Sequence, residues 1–287
     1  VRSRGLGDVY KRQDVMERSG LKVKSINGDF EVNPVRVVRS TSGIHKPDLI
    51  LICVKAWQVK EVALELKGRV GDSTLILPLQ NGVVASEELI GVLGEENVLA
   101  GLCRIISMIE SPGIINHVAV DPAIVIGEVG SSPNQRIQKL KQALTVHGIA
   151  CETPDDIQAA LWKKYISICV SALLAVTRTT YGEIMEQPET RTMMRELMVE
   201  VHSVATAAGV SINPDFPDRM IAFFDTFPYD STSSLTRDVM EGRPSEIEYQ
   251  NGCVVRLGER YGVDTPINRF VYHCILPMER KARELER

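Results

Sequence analysis

The sequence predicts an α/β protein of two domains, a parallel-sheet domain followed by an all-helical C-terminal domain. From about residue 20 to residue 152, short apolar runs alternate with amphipathic helices, which is the pattern of a βαβ sheet with helices on both faces. After Pro154 nearly every segment has the period of a helix. We therefore place the domain boundary at residues 154/155.

The elements of the sheet domain are predicted in alternation along the chain. Residues 47–56 form a continuous apolar run, as expected of a strand buried on both faces of a parallel sheet. Asp121-Pro122 is a turn signal between two short strands. Strands are also predicted at 73–83, 97–106, 113–120, 123–130 and 149–154, and helices at 57–68, 85–94 and 134–148.

Glycine and proline residues mark the predicted breaks between helices of the helical domain. Its helices are predicted at 155–178, 189–208, 215–226, 233–241, 245–261 and 265–286, with breaks at Gly182, Gly209, Pro214, Pro217, Pro228, Gly262 and Pro266. Ser245-Glu246-Ile247-Glu248 fits a capping box, in which Ser245 caps a helix and Glu248 reaches back to it.

Composition argues against several classes of function. The net charge is −4 and the basic residues do not cluster, so a nucleic-acid or membrane-surface role is disfavoured. No apolar run approaches the roughly 20 residues of a membrane span. The cysteines are far apart, so we interpret them as reduced core thiols of a cytosolic protein and predict no metal site. They are Cys53, Cys103, Cys151, Cys169, Cys253 and Cys274.

Two candidate ligand-binding residues follow predicted strands. In an open α/β sheet, ligands bind beyond the carboxyl ends of the strands, where Lys55 can meet an anion and Asn81 can donate to a carbonyl. The alternatives are an ordinary solvated lysine and a plain Asn81-Gly82 turn.

Lys164 is the most informative charged residue. It lies within an apolar stripe on the predicted helix 155–178, three residues after Leu161 and four before Ile168, whereas Lys163 points elsewhere. A lysine that faces packed surface loses solvation, so its pKa falls and its proton is easier to deliver. The alternative is a stem packed along the stripe with its ammonium in water.

Further polar candidates lie in the segment 233–252. Ser233 and Ser234 either cap the helix that precedes residue 245 or offer hydroxyls to a carboxylate. Glu246 is either favoured by the helix dipole in the first turn, or it orients a substrate or pairs with a lysine. We interpret the histidines as structural or exposed; they are His45, His117, His147, His202 and His273.

Four motifs in this order and spacing resemble the ketopantoate reductase (2-dehydropantoate 2-reductase) family. They are VKAWQV, LQNGV, LWKKY and SSLTRDVMEGRPSEIEYQNG, and the likeness spans roughly residues 14–287. The resemblance implies a Rossmann-like domain that binds NADPH and a helical domain that closes over a small 2-oxo acid. It implies reduction of ketopantoate to pantoate, in the biosynthesis of pantothenate, by a cytoplasmic oxidoreductase.

The resemblance also assigns roles to residues. Lys164 matches the catalytic lysine, which holds and protonates the C2 carbonyl oxygen, and Glu246 matches the glutamate that places lysine and cofactor. Asn81 and Ser234 match substrate-binding residues. Lys55, Asn81, Ser107 and Glu246 match positions that contact the cofactor, Ser107 through its backbone.

Three positions depart from the family pattern. Asparagines that hold the substrate are expected where this chain has Ile168, Ala172 and Tyr181. A lost amide removes hydrogen bonds worth roughly 1–3 kcal/mol each. The departures leave the reaction type intact and weaken the assignment of the acid, so another branched or bulkier 2-oxo acid is the alternative substrate.

The head of the chain lacks the family's glycine-rich turn. Gly5 and Gly7 follow a short charged lead-in, and Tyr10 stands where a small residue belongs, so we predict that neither glycine binds cofactor. We interpret residues 1–13 as a foreign leader in place of the first strands of domain 14–154, which is then an incomplete, Rossmann-like fragment. Such a chain is expected to bind NADPH poorly and to be unstable.

Other functional classes remain open. A β-hydroxyacid dehydrogenase expects Asn one turn after the lysine, where this chain has Ser167 and Ile168. A noncatalytic NADP-sensing module is disfavoured by the joint presence of Lys164, Ser234 and Glu246. The sequence does not decide between a monomer and a homodimer.

Overall fold

A computed structural model describes residues 4–43, 46–130, 133–146 and 149–286. His45 and His147, which we interpret as structural or exposed, lie outside the described residues. The described strands are β1 Leu21–Ser25, β2 Phe30–Val32, β3 Leu49–Ile52, β4 Leu75–Pro78, β5 Leu99–Ser111, β6 Ile114–Glu128 and β7 Ala150–Glu152.

The strands form two sheets, one of five strands with parallel and antiparallel pairs and one of two parallel strands. One set is ordered β2-β1-β6-β5, with β7 also paired to β6, and β3 pairs with β4. An isolated bridge between Ile76 and Val98 joins β4 to the residue before β5. The pairs β1–β6, β3–β4 and β6–β7 are parallel, whereas β1–β2 and β5–β6 are antiparallel. The α/β, Rossmann-like class is therefore confirmed.

The predicted pair of short strands around Asp121-Pro122 is wrong, because β6 runs through both residues as one strand. The ladder with β5 steps from Arg104–Ala123 to Ile106–Ala119, and Val120 has a positive φ of 63°. Pro122 has no N–H to donate. Because the register steps here, no residue of β5 is paired with Pro122, and no ladder hydrogen bond is lost. The turn signal thus marks a bulge.

Twelve α-helices occur in the described residues. They are α1 Arg4–Ser19, α2 Val59–Leu66, α3 Ala85–Leu93, α4 Gln135–Val146, α5 Ile157–Cys169, α6 Ser171–Thr177, α7 Tyr181–Glu186, α8 Pro188–Ala207, α9 Phe216–Phe224, α10 Ser234–Met240, α11 Asn251–Tyr261 and α12 Pro266–Glu286. Helix α1 runs through residue 13, the predicted end of the leader. The assignment of residues 1–13 as a leader stays a prediction.

Three predictions in the helical domain need correction. The segment 155–178 is two helices that meet at Val170, and Gly182 lies inside α7 rather than at a break. The helix expected from residue 245 begins only at Asn251. Otherwise a sheet domain is followed by a helical domain, as predicted.

Helix α5 packs closely against the sheet and so fixes the position of Lys164. Ile157 and Leu161 lie in one apolar cluster with Ala100, Leu102 and Val125 of β5 and β6. At Gly127 of β6 an added Cβ would lie 2.6 Å from the Cβ of Ile157. Glycine is therefore needed there for the close approach of helix and strand.

The segment Ile157–Thr177, formed by α5 and α6, is long and apolar enough to pass a composition test for a membrane span. However, 67% of its most apolar window is buried within the protein. Ala172 and Leu174, for example, are fully buried in the helical core. This burial is typical of a core helix of a soluble domain.

Candidate active site

The carboxyl ends of β3 and β4 bring Lys55 and Asn81 to one edge of the sheet. Each residue lies three positions after the last residue of its strand. The side chain of Gln80 donates to the carbonyl oxygens of Ile52 at 2.8 Å and Val54 at 3.0 Å, which ties the two loops together. The sheet edge therefore presents an ammonium and an amide, as the sequence predicted.

Glu246 reaches this edge from the helical domain. One carboxylate oxygen accepts from the backbone N–H of Ala56 at 3.0 Å, and the other accepts from the Asn81 amide at 3.4 Å. The residue is 8% exposed. Its carboxylate thus bridges the loops after β3 and β4.

The predicted capping box at 245–248 is wrong. The backbone N–H and hydroxyl of Ser245 both donate to Oε2 of Glu279, at 2.8 and 2.7 Å. Glu248 instead accepts from Tyr272 at 2.8 Å. The buried carboxylate of Glu279 therefore anchors the turn that carries Glu246.

Lys164 faces the same boundary from α5. Its ammonium donates to the carbonyl oxygen of Cys103 in β5 at 2.8 Å, whereas Lys163 is exposed, as predicted. Burial lowers the pKa of Lys164 from its ordinary value, and the positive charge of Arg104 lowers it further. The negative charge of Glu246 acts on the same pKa in the raising direction. Lys164 and Glu246 are therefore electrostatically coupled.

Lys55 has a partner that the sequence analysis missed. Its ammonium donates to Oδ2 of Asp238 in α10 at 3.1 Å and lies 5.7 Å from the ring centroid of Trp57. Arg283 of α12 contacts the same ring at 4.3 Å. The sequence contained one indication of this partner: Asp238 lies one helical turn after the candidate Ser234, and hence on the same face of the helix.

The two serines before Asp238 have different surroundings. Ser233 caps α10, since its hydroxyl oxygen accepts from the backbone N–H of Thr236 at 3.0 Å. Ser234 is exposed at the first position of α10. Of the two roles left open from the sequence, Ser233 takes the cap, and the substrate role of Ser234 stays a prediction.

Ser107 lies on β5, four residues beyond Cys103, in a stretch where the ladder with β6 shifts register. The residue is exposed. Its backbone contact with a cofactor stays a prediction.

The three positions that depart from the family pattern lie on the apolar side of the helical domain. Ile168 is half-buried and packs against the helical core, and Ala172 is fully buried. Tyr181 stacks on Phe224 with ring centroids 5.2 Å apart, and burial raises its pKa to about 12. None of the three is an ionised or amide side chain.

Two histidines have structural partners. A ring nitrogen of His117 lies 2.9 Å from the Val120 carbonyl oxygen, and His202 lies 3.2 Å from the Ile212 carbonyl oxygen. The interpretation of the cysteines as core thiols is wrong for Cys53 and Cys274, which are exposed. The Cys53 sulfur is nevertheless partly desolvated by its neighbours, which raises the pKa of its thiol.

The residues present fit one part of a dinucleotide. Lys55, Asn81, Glu246 and Lys164 surround the strand ends, and Gly82, with a φ of 108°, lets the chain turn where an added Cβ would lie 3.3 Å from the Tyr249 carbonyl oxygen. Gly5 and Gly7 belong to α1, and no described strand precedes that helix. A glycine-rich turn for a pyrophosphate is thus not found in the described residues.

Comparisons with known proteins agree on one family. The family model described as ketopantoate reductase PanE/ApbA matches residues 9–131, and the model of its C-terminal domain matches residues 156–279. The 2-dehydropantoate 2-reductase of Aquifex aeolicus is 30% identical over 274 residues, 92% of this chain and 86% of that protein. The uncharacterized oxidoreductase YkpB of Bacillus subtilis is 26% identical, over 91% of this chain and 86% of that protein.

A solved structure extends this agreement to three dimensions. The PanE/ApbA family ketopantoate reductase from Ralstonia eutropha JMP134 superposes with a TM-score of 0.86 at 30% identity, covering 95% of this chain and 89% of that one. Gly5 and Gly7 lie outside both matched family segments.

Proposed function

Because the chain belongs to the ketopantoate reductase family, we propose that it reduces 2-dehydropantoate to pantoate in the biosynthesis of pantothenate. The family makes it an NADP-dependent oxidoreductase that acts on a small 2-oxo acid. The identity of the acid is the proposed part. It is supported by the relatives named 2-dehydropantoate 2-reductase, which match most of the chain.

The observation that carries the proposal is the desolvated ammonium of Lys164 at the boundary of the two domains. NADPH, when bound, supplies the hydride that C2 of the 2-oxo acid receives. Lys164 gives a proton to the carbonyl oxygen, so the product is an alcohol and the amine is reprotonated from solvent. A cation beside the developing negative charge, shielded from water, stabilises that charge strongly.

Neighbouring residues support this role of Lys164. The Glu246 carboxylate favours the protonated form of the lysine and is itself fixed by Ala56 and Asn81. We assign Asn81 and Ser234 to the 2-oxo acid, and Lys55, Asn81, Ser107 and Glu246 to the cofactor. Lys164 and Glu246 form the catalytic pair, so that Asn81 serves both ligands and Glu246 serves both the cofactor and the lysine.

A second candidate substrate is a 2-oxo acid with a bulkier, apolar side chain. It is favoured by Ile168, Ala172 and Tyr181, which offer apolar surface where the resemblance expects amides that bind the substrate. A site without those amides discriminates weakly in favour of a substrate hydroxyl. The reaction at C2 is the same for both candidates.

A screen of 2-oxo acids against NADPH and NADH tests these assignments. The proposal expects the highest kcat/KM with 2-dehydropantoate and NADPH. A higher value with a branched or aromatic 2-oxo acid would transfer the assignment to the second candidate. Binding of NADPH without turnover of any acid would favour a noncatalytic sensor.

We also propose a cytoplasmic location and a homodimer. A dimeric ketopantoate reductase from Staphylococcus aureus has the same fold at 20% identity, which supports the fold and leaves the assembly of this chain to measurement. Sedimentation analysis decides it: a mass near 31.8 kDa identifies a monomer, and twice that mass identifies the dimer. Fluorescence of a tagged chain in its own cells, enriched at a membrane, would contradict the location.

A further inference from the structure

A carboxylate that the proposed reaction does not use faces Lys55 across the domain boundary. Oδ2 of Asp238 accepts from the Lys55 ammonium at 3.1 Å. Lys55 follows β3 of the sheet domain, and Asp238 lies in α10 of the helical domain. Asp238 therefore occupies the Lys55 ammonium, which a nucleotide bound at the strand ends would also contact.

Asp238 keeps a cationic partner when Lys55 moves away. Its other oxygen, Oδ1, accepts from the Arg243 guanidinium at 3.0 and 2.8 Å. The Asp238 side chain is 13% exposed, so an unpaired charge there would be strongly unfavourable. Because Arg243 stays in place, losing Lys55 leaves the carboxylate neutralised and oriented.

Lys55, in contrast, is free to exchange its partner. Its side chain is 45% exposed and has a flexible four-carbon stem. An ion pair of such exposure contributes little to stability. A more highly charged anion at the carboxyl end of β3 can therefore take the ammonium from Asp238.

We propose that Asp238 is a positioning residue, which holds the Lys55 ammonium in the ligand-free protein and releases it to an anionic group of the bound nucleotide. The proposal rests on the cofactor role proposed for Lys55. An ion pair that only joined the two domains would instead persist when the nucleotide binds. The two cases differ in how the carboxylate affects nucleotide affinity.

A double-mutant cycle measures this difference. Asp238→Asn keeps the shape of the side chain and removes its charge, so NADPH should bind roughly two- to fivefold more tightly. In a Lys55→Gln background the same change should have no effect, because no ammonium remains to be released. Affinity is read from NADPH fluorescence, and thermal melting confirms that each variant is folded.

Glu241→Gln is the matched control. Glu241 also pairs with Arg243, but its carboxylate is exposed and does not contact Lys55. This variant should bind NADPH as the parent does. Unchanged or weaker binding by Asp238→Asn, or an equal gain with and without Lys55, would overturn the proposal.

A second measurement uses the ligand-free protein and needs no turnover. Acetic anhydride labels free amines, and mass spectrometry follows the labelling of Lys55 alone. Asp238→Asn should label several-fold faster, whereas Glu241→Gln should not change the rate. An unchanged rate in Asp238→Asn refutes the holding role. Loss of turnover with the coupling intact refutes the proposed function only.

Discussion

The Lys164 ammonium donates a 2.8 Å hydrogen bond to the carbonyl oxygen of Cys103, so a desolvated cation joins α5 of the helical domain to β5 of the sheet domain. An ammonium has three N–H donors. One holds the helix to the sheet, and the others remain for a substrate carbonyl and its surroundings. The position of the proton donor is thus set by a backbone contact that most substitutions leave intact.

Replacing Lys164 should remove the proton donor. Lys164→Ala is expected to lower kcat by about 10²–10⁴-fold, the usual contribution of a general acid. Lys163→Ala is the control, because its side chain is exposed on the neighbouring helical position. NADPH oxidation with the preferred 2-oxo acid measures both. Equal rates in the two variants would remove Lys164 from its assigned role.

The pH profile should report the environment of Lys164. Since the protonated amine is the active form and its pKa is lowered, kcat should fall at a lower pH than an exposed lysine would give. Glu246→Gln removes a charge that raises this pKa, so the alkaline limb should move to lower pH. Arg104→Gln should move it upward. A limb that moves upward in Glu246→Gln contradicts the coupling.

Ser233 and Ser234 should separate stability from substrate binding. Ser233→Ala removes the cap of α10 and should cost about 1 kcal/mol of unfolding free energy with little change in KM. Ser234→Ala should leave the melting temperature unchanged and raise KM for the 2-oxo acid about tenfold, because a hydrogen bond to a carboxylate is lost. Denaturation and steady-state kinetics on both variants test the pair. The reverse assignment would show that Ser234 is structural.

Gly127 should be sensitive to a single methyl group. In Gly127→Ala the added Cβ pushes Ile157, and with it α5, away from the sheet, which should cost about 1–3 kcal/mol of unfolding free energy and lower kcat through displacement of Lys164. Gly91→Ala is the control: no atom lies within 4 Å of the added Cβ in α3, and alanine favours a helix. Urea denaturation measures both, and equal stabilities would contradict the close packing.

Much of the fold follows from local pattern. The apolar run that contains β3 and the helical periods after Pro154 are set by burial of neighbouring side chains, so the sequence reveals them. Local pattern gives the wrong structure where a residue distant in the sequence determines the hydrogen bonds. Ser245 fits the sequence pattern of a helix cap, yet it donates its hydrogen bonds to Glu279, 34 residues away.

The candidate site was predictable in part for the same reason. Lys55 and Asn81 follow strands, and Lys164 interrupts an apolar stripe, so each could be recognised from its own segment. Asp238 is an ordinary helical aspartate until α10 meets the end of β3, and only the tertiary structure pairs it with Lys55. The contact between Lys164 and Cys103 likewise needs both domains.

The pairing of β3 has a practical consequence. Within the part of the chain that the structure describes, β3 pairs with β4 alone, and its Leu51 is 42% exposed. An open apolar strand edge is a template for strands of other molecules. We expect purified material to be lost to intermolecular sheets as concentration rises, so dilute, freshly prepared samples suit the kinetic work best.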